Sequence, residues 1–233
     1  MIARGDMAIE AGAEVVPIVQ RKLIALCREH SKLCIVATQM MSSMTDSPEP
    51  TRAEVSDVAT AVILGADCLM LSDETANGKY PIETAKAMKK VILYTQNHST
   101  PQPLDADPVG QFENYDALSH SAVDLAERLD ADIILAETKT GATAAAIAAE
   151  RPSLPIISIT SDPRVAGQLA LTYANSAYVR PYSEHYGLDL LRELKGSEYL
   201  HPQKKGGDLT AIIVSGENRD TVGGSDTIRI RKI

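Results

Sequence analysis

The chain begins with Met1-Ile2-Ala3-Arg4-Gly5-Asp6, a short apolar run that stops at charged residues. A parallel strand buried on both faces of a sheet is made of apolar residues, and functional side chains collect where such a strand ends. Gly5 lets the backbone approach a ligand closely, and the amides after it could open a helix whose N-terminus favours an anion. The stretch predicts the end of a buried strand that is followed by a functional carboxylate, Asp6.

The same order of strand, polar exit and helix occurs twice more. Residues 33–37 form an apolar run that ends at Thr38 and Gln39, and residues 68–71 form another that ends at the polar stretch 72–80. Polar residues at the carboxyl ends of successive strands are typical of a barrel of alternating strands and helices. Three units would leave two unpaired strand edges, so an incomplete (β/α)8 barrel is expected.

Helices are predicted between these strands from the spacing of apolar residues. A short helix is expected at residues 7–11. Thr51 and Glu54 form a capping-box pattern ahead of another helix, Gly65 ends that helix, and Pro81 opens the next one. The apolar stripes of the second and third helices are predicted to be Val15, Ile18, Val19, Leu23, Leu26 and Cys27, and then Val55, Val58, Ala59, Val62 and Ile63.

Composition narrows the class of protein. The 233 residues are 44% hydrophobic and carry a net charge of -8 that is not gathered into blocks, which argues against a nucleic-acid surface. No apolar run approaches the roughly 18 residues that a membrane span needs. The three cysteines lack metal-ligand spacing and lie in apolar segments, as expected of reduced, buried thiols in the cytoplasm.

A second α/β region follows a Pro-rich segment. Residues 99–111 have the composition of a linker, with prolines at 101, 103 and 108. Beyond it, about five short strands are predicted at 132–136, 156–160, 177–180, 210–214 and 227–230, separated by helices. This order predicts an open twisted sheet.

One loop of the second region has the character of a phosphate site. Hydroxyl groups, a lysine and free amides follow a strand and open a helix there, an arrangement that suits a phosphate. The candidate ligands are Thr138, Lys139, Thr140, Gly141 and Thr143. An ordinary capped helix is the alternative.

Asp6 also has alternatives. A carboxylate on a loop suits Mg2+, which takes one or two protein carboxylates and completes its shell with water and substrate oxygens. Asp is equally a preferred helix N-cap residue. A cell-adhesion role for the Arg-Gly-Asp tripeptide is disfavoured in a chain that lacks disulfides and a secretion signal.

Several motifs together resemble pyruvate kinase in order and spacing. They are Met1-Ile-Ala-Arg-Gly-Asp6, Ile35-Val-Ala-Thr-Gln-Met40, Pro50-Thr-Arg-Ala-Glu-Val-Ser-Asp-Val-Ala59, Met70-Leu-Ser-Asp-Glu-Thr-Ala76 and Gly78-Lys-Tyr-Pro81. The resemblance implies that residues 1–98 are the last three strand-helix units of the catalytic barrel and that 112–233 are the C-terminal regulatory domain. Asp73 and Ala8 depart from the family, which usually has Gly at both positions.

The resemblance implies phosphoryl transfer between phosphoenolpyruvate and ADP, assisted by Mg2+ (or Mn2+) and K+. Asp6 would be a metal ligand, and the amides of Gly5 and Asp6 would hold the substrate carboxylate. Arg4 would lie beside the transferring phosphate, and Thr38 near the carbon that is protonated afterwards. Ser72 and Glu74 would relay a proton or position water, with plain loop hydrogen bonding as the alternative.

The resemblance also implies regulation and assembly. The loop 138–143, with Gly223-Gly224-Ser225 as a second loop, would hold the phosphate of a sugar-phosphate effector, and the family forms homotetramers. The family's catalytic lysine, second metal-binding acid, K+ ligands and lid domain would precede this sequence. The chain is therefore expected to be inactive alone, as a gene fragment, a truncated sequence or half of a split enzyme. The alternative is a non-catalytic module for effector binding or subunit assembly.

Overall fold

A computed structural model describes residues 1–101, 114–183, 185–195, 208–216 and 224–233. The chain divides into two compact units, Met1–Ala106 (unit 1) and Asp107–Ile233 (unit 2). Most of the predicted linker, 99–111, lies outside the described residues. None of the described helices is both long enough and apolar enough to cross a membrane.

Unit 1 repeats strand and helix in the predicted order. Its elements are β1 (Ile2–Ala3), α1 (Arg4–Ala11), a 3-10 turn (Ala13–Val15), α2 (Val16–Glu29), β2 (Ile35–Ala37), a 3-10 turn (Ser42–Thr45), α3 (Arg52–Leu64), β3 (Cys68–Met70), α4 (Asp73–Ala76) and α5 (Pro81–His98). The strands pair in parallel in the order β1-β2-β3. All three carboxyl ends therefore meet at one edge of the sheet.

The start and end of α3 are those that its sequence predicts. The Thr51 side chain accepts a hydrogen bond from the Glu54 amide, and the Glu54 side chain accepts one from the Thr51 amide. At the other end Gly65 has φ 86°, a left-handed conformation that glycine adopts without a steric penalty. The capping box is confirmed.

Two features of unit 1 differ from the sequence prediction. Helix α1 begins at Arg4 rather than at residue 7, so β1 passes into the helix without a loop. Helix α2 buries Gln20, Ile24 and Arg28, whereas Ile18 and Leu26 of the predicted stripe are 60% and 49% exposed. The buried face is rotated because Gln20 hydrogen-bonds to Arg4 in the interior, a contact that hydrophobic spacing cannot reveal.

Smaller differences occur in the other helices of unit 1. Ile63, predicted to lie on the buried stripe of α3, is 37% exposed, and Ala61 is buried instead. The short helix α4 was not predicted, because the stretch 72–80 is polar throughout and has no apolar spacing. The apolar core of the unit packs Ile24, Val36, Val58 and Met88 with the methionines of the β2 exit.

Unit 2 is the expected open α/β sheet. Its elements are α6 (Asn114–Arg128), β4 (Ile133–Glu137), α7 (Ala142–Ala149), β5 (Ile156–Thr160), α8 (Pro163–Leu169), β6 (Asn175–Val179), α9 (Tyr186–Leu194), β7 (Thr210–Ser215) and β8 (Thr227–Lys232). The strand order is β6-β5-β4-β7-β8, with β8 antiparallel to β7 and the other pairs parallel.

The central strands of unit 2 are buried on both faces. Every residue of β4 and β5 is buried. Alternate residues face two apolar clusters: Ile134 and Ile156 pack with α6 and α7, while Leu135 and Ile157 pack with α9. Continuous apolar strands are what a sheet covered on both sides requires.

Candidate functional site

The carboxyl ends of β1 and β2 are joined by the Arg4 side chain. Arg4 is only 7% exposed, and its guanidinium donates hydrogen bonds to the carbonyls of Ala37, Thr38 and Gln39 at 3.3, 2.6 and 3.0 Å. Nη1 lies 2.5 Å from Asp57 Oδ2 and 3.3 Å from Gln20 Oε1. All three guanidinium nitrogens are therefore engaged within the protein. A direct contact of Arg4 with a phosphate would require one of these bonds to be exchanged.

The turn that Arg4 holds is strained. Thr38 has φ 69° and Gln39 has φ 53°, both in the left-handed region. A β-branched residue there is an outlier, and such strain costs on the order of 1–3 kcal/mol per residue. The Thr38 hydroxyl accepts a hydrogen bond from the Gly5 amide at 2.9 Å. The structure thus brings together the predicted residues Gly5 and Thr38.

Glu74 joins the carboxyl ends of β2 and β3. Its side chain is almost fully buried, with the residue 2% exposed. Oε1 accepts from the Met41 amide at 3.1 Å and Oε2 from the Ser72 amide at 2.8 Å. The hydrogen bonding within loops that was the alternative for Ser72 and Glu74 is present, and their proposed part in proton transfer stays a prediction.

The exit of β2 lies between these two contacts. Arg4 holds residues 37–39 from the side of β1, and Glu74 holds Met41 from the side of β3. Parallel strands place their carboxyl ends at the same edge, where functional residues of barrels gather. The candidate site of unit 1 is this edge, comprising Arg4, Gly5, Thr38, Ser72 and Glu74.

Asp6 lies in the first turn of α1 and is exposed. It does not cap the helix, since Ala3 is the N-cap residue and no side-chain cap hydrogen bond is present. The capping alternative for Asp6 is therefore wrong. No group of three or more His, Cys, Asp or Glu residues in the described ranges could hold a metal ion. Asp6 can supply one carboxylate ligand. One or two such ligands are what Mg2+ usually takes from a protein, the rest being water and substrate oxygens.

The neighbouring carboxylate Glu54 links the β2 exit to α3. Burial alone would raise the pKa of Glu54, but hydrogen bonds from Ser43 and Thr51 outweigh it and hold the pKa below its usual value. The Ser43 amide donates at 2.7 Å, and the Ser43 hydroxyl donates at 2.5 Å. These bonds fix the 3-10 turn that follows Met41.

At Ala8 and Asp73, where the resemblance leads one to expect glycine, the backbone does not require glycine. Ala8 lies within α1 and Asp73 is the first residue of α4. Neither belongs to the residues with positive φ, so no left-handed conformation is required at these positions.

In unit 2 the candidate phosphate loop follows β4. Thr138 is 7% and Thr143 is 4% exposed, while Lys139 and Thr140 lie at the surface. The Thr138 hydroxyl accepts from the Gly141 amide at 3.0 Å. Gly141, with φ 90°, is the N-cap of α7 and provides no side-chain cap. Glycine is itself a preferred N-cap residue, so an ordinary capped helix remains the alternative to a phosphate site here.

The second predicted loop touches the first. The hydroxyls of Thr143 and Ser225 are 2.6 Å apart. Gly223 lies outside the described residues, whereas Gly224 and Ser225 are described. The two loops are joined through hydroxyl groups at the carboxyl edge of the sheet.

Sequence reasoning missed the residues that support these sites. Asp57 and Gln20 contact Arg4 but are 53 and 16 residues away along the chain. In unit 2, Arg229 Nη2 donates to Ser215 Oγ at 2.9 Å and lies 3.9 Å from Glu137 Oε2. No local signal marked them, because Gln20 lies off the predicted apolar stripe of α2 and Glu137 follows the predicted strand 132–136.

Comparisons with known proteins agree with this architecture. Residues 1–85 match the family model "Pyruvate kinase, barrel domain", and residues 116–231 match "Pyruvate kinase, alpha/beta domain". The fold is thus the end of a pyruvate kinase barrel followed by the family's α/β domain, as the motifs predicted.

Individual relatives extend the match to the whole chain. Pyruvate kinases of Mycobacterium tuberculosis and Clostridium perfringens are 38% and 34% identical, each over 100% of this chain. A crystal structure of a pyruvate kinase from Cryptosporidium parvum aligns with a TM-score of 0.84 and 31% identity, over 99% of this chain and 46% of its own. The chain spans about half the length of the curated relatives it matches, 48% and 50% for the two bacterial enzymes. With both domain models matched in order, the chain belongs to the pyruvate kinase family.

Proposed function

We propose that this chain supplies the C-terminal part of the active site of a pyruvate kinase, which transfers a phosphoryl group from phosphoenolpyruvate to ADP and yields pyruvate and ATP. The observation that carries the proposal is the convergence of three strand ends on the turn 38–41, where Arg4, Gly5, Thr38, Ser72 and Glu74 meet. Positioning and electrostatic stabilisation are what phosphoryl transfer demands of a protein.

Thr38 is proposed to act at the carbon that gains a proton after transfer. A hydroxyl has one hydrogen to donate and two lone pairs to accept with. The Gly5 amide occupies one lone pair and leaves the hydroxyl hydrogen for a substrate or a water. Glu74 accepts hydrogen bonds from the Met41 and Ser72 amides at the same turn. Together with Ser72 it would relay the proton to Thr38.

Asp6 is proposed as a metal ligand, with its own amide facing the substrate carboxylate. The expected part of the Gly5 amide in holding that carboxylate is corrected, because this amide donates its one hydrogen to the Thr38 hydroxyl. Asp6 is exposed in the first turn of α1, where the helix N-terminus favours an anion. When bound, Mg2+ or Mn2+ neutralises charge on the transferring group, and K+ adds a further positive charge. Arg4 contributes fixed positive charge nearby, already hydrogen-bonded to the turn.

The remaining catalytic groups are proposed to lie in sequence that precedes these residues in the family. They are the catalytic lysine, the second metal-binding acid, the K+ ligands and the lid domain. A polypeptide of these 233 residues assayed alone with phosphoenolpyruvate, ADP, Mg2+ and K+ is expected to show no turnover above background. A normal turnover number would overturn this part of the proposal.

The activity itself is tested in a chimera. The C-terminal half of the Mycobacterium tuberculosis relative is replaced by these 233 residues, and formation of pyruvate is followed in a coupled assay. Turnover is expected, and Asp6→Asn should lower it at least about a hundredfold because a metal ligand is lost. Glu29→Gln, at an exposed helix end, is the matched control. A chimera that unfolds cooperatively but turns over no substrate would overturn the proposal.

We also propose that unit 2 binds the phosphate of a sugar-phosphate effector at the loop 138–143. Support comes from the position of the loop at the N-terminus of α7 and from the hydroxyl contact of Thr143 with the second loop. Lys139 and Thr140 are at the surface, where a ligand can reach them. This site would also serve a non-catalytic regulatory module.

Calorimetry with fructose 1,6-bisphosphate and ribose 5-phosphate tests the effector site. Binding heat is expected, with at least a tenfold loss of affinity in Lys139→Ala and none in Lys90→Ala, an exposed lysine of unit 1. Absence of heat for both sugar phosphates would contradict the proposal. Assembly into a homotetramer and a cytoplasmic location are further proposals taken from the family, and sedimentation of the chimera would test the first.

A further inference from the structure

The turn at Thr38 and Gln39 needs a group that holds it in place. Both residues have positive φ, and their carbonyls point toward one guanidinium group. A strained backbone conformation persists only where contacts with the surrounding residues enforce it. The Arg4 hydrogen bonds to three successive carbonyls supply that constraint.

The orientation of Arg4 in turn depends on Asp57. A guanidinium is planar, so fixing one edge fixes the direction of the others. Asp57 Oδ2 lies 2.5 Å from Nη1, and Gln20 accepts from the same nitrogen at 3.3 Å. With Nη1 held on this side, Nε and Nη2 face the turn. The Arg4 side chain is 8% exposed and the Asp57 side chain 36%, so the pair is partly shielded from water.

Asp57 is carried by α3, whose N-terminus is set by the capping box of Thr51 and Glu54. The contact therefore connects a regular helix to the strained turn. Through Arg4 it reaches Thr38, whose hydroxyl meets the Gly5 amide. A misplacement of about 1 Å at a reacting group can reduce a rate about a hundredfold.

We propose that Asp57 is a positioning residue for the reaction, acting through Arg4 to hold the Thr38–Gln39 turn so that the Thr38 hydroxyl is presented to the substrate. The proposal rests on the proposed phosphoryl transfer. Asp57 itself touches no reacting atom.

The first test needs no catalysis. Hydrogen exchange of the 233-residue chain is compared for the parent, Asp57→Asn, Asp57→Glu and Glu83→Gln, an exposed acid of unit 1. Exchange in peptides covering 37–41 is expected to rise at least tenfold in Asp57→Asn and less in Asp57→Glu, and to stay unchanged in Glu83→Gln. Unchanged exchange at 37–41 in a folded Asp57→Asn protein would overturn the proposal. If Asp57→Asn unfolds, Asp57→Glu is used instead, and unchanged exchange at 37–41 in that variant would overturn the proposal.

The second test uses the chimera. In Asp57→Asn, kcat is expected to fall about a hundredfold with the KM for ADP unchanged, and Asp57→Glu should recover part of the loss. A normal kcat together with raised exchange at 37–41 would overturn the positioning role. If the unsubstituted chimera is inactive, the proposed function has failed, and exchange data alone then decide whether Asp57 holds the turn.

Discussion

The three-stranded sheet of unit 1 has strands of two or three residues, and no residue of β3 is fully buried. The five-stranded sheet of unit 2 has strands of five or six residues, and β4 and β5 are buried throughout. In unit 1 the strand ends are held by buried charged side chains that hydrogen-bond to backbone groups. Apolar packing dominates unit 2, whereas polar contacts set the backbone of the candidate site in unit 1.

The largest expected effect tests the apolar side of this comparison. Leu135→Ala in β4 removes a fully buried side chain from the α9 face of the sheet. The free energy of unfolding of unit 2 is expected to fall by about 3 kcal/mol, through lost transfer free energy and the cavity left behind. Urea titration followed by hydrogen exchange of β4 and β5 peptides measures it.

Leu129→Ala is the matched control for Leu135→Ala, since Leu129 is 43% exposed in the same unit. Its expected effect is below about 1 kcal/mol. Equal losses for the two variants would show that burial in the sheet does not govern the stability of unit 2.

The next effect tests the polar side. Glu74→Gln keeps the size of a side chain that accepts from two amides but places a donor opposite one of them. Unit 1 is expected to lose about 2 kcal/mol, because hydrogen bonds to a charged group contribute about 1.5–3 kcal/mol. Denaturant titration gives the loss, with exchange at Met41 and Ser72 as the local readout.

Asp73→Asn provides the control for Glu74, as Asp73 is the adjacent, exposed acid. It should leave exchange at Met41 unchanged. If both variants weakened the turn equally, the burial of Glu74 would not be the cause.

A smaller effect is expected at Glu54. Glu54→Gln removes the charge that accepts from Ser43 and Thr51, and at pH 7 it should cost unit 1 about 1 kcal/mol, the usual value of a helix cap. Because the pKa of the folded Glu54 is lowered, its stabilising effect is present above the ordinary carboxyl pKa and disappears as the pH falls through the lowered one.

The difference in stability between parent and Glu54→Gln should therefore shrink in acid. Urea midpoints at pH 7 and at pH 3 measure it, with the exposed Glu49 as control in Glu49→Gln. A difference that stayed constant with pH would contradict the role of the Glu54 charge.

The smallest effect at neutral pH concerns a thiol in the apolar core of unit 1. Burial, and then the neighbouring thiol of Cys27, raises the pKa of Cys34 to about 12. The folded protein keeps this thiol protonated where the unfolded chain would ionise it, so unit 1 should lose stability as the pH rises above about 9 toward 12. In Cys34→Ala, the free energy of unfolding of unit 1 should change less with pH in this range.

Alkylation gives a direct measurement of the same property. At pH 8, Cys34, 1% exposed, should react much more slowly with iodoacetamide than the half-buried Cys27 and Cys68, as read by peptide mass spectrometry. Labelling of Cys34 at the rate of Cys68 would contradict its burial.

Local patterns predicted most elements of both units. The capping box of Thr51 and Glu54, Pro81 at a helix start and the strand 156–160 were all confirmed. These signals involve residues within a few positions of one another, so short-range geometry decides them. The buried face of α2 was predicted in part: Leu23 and Cys27 pack against the core as expected, whereas Ile18 and Leu26 are exposed and Gln20 turns inward to meet Arg4.

The candidate site was predictable only as a set of residues. The motifs named Gly5, Thr38, Ser72 and Glu74. Their arrangement around one turn depends on two hydrogen bonds, Gly5 to Thr38 and Met41 to Glu74, each of which joins residues 33 positions apart. The positive φ of Thr38 has no local sequence signal, since threonine disfavours it.

The amino-acid sequence by itself determined the order of the strands and of the longer helices, the caps of α3, the start of α5 and the membership in the pyruvate kinase family, because these depend on short-range spacing and on motifs. The tertiary structure alone decided which side chains hold the turn 38–41, namely Arg4 with Asp57 on one side and Glu74 on the other. The physical reason is that a buried charge must find its partners in space, wherever they lie along the chain.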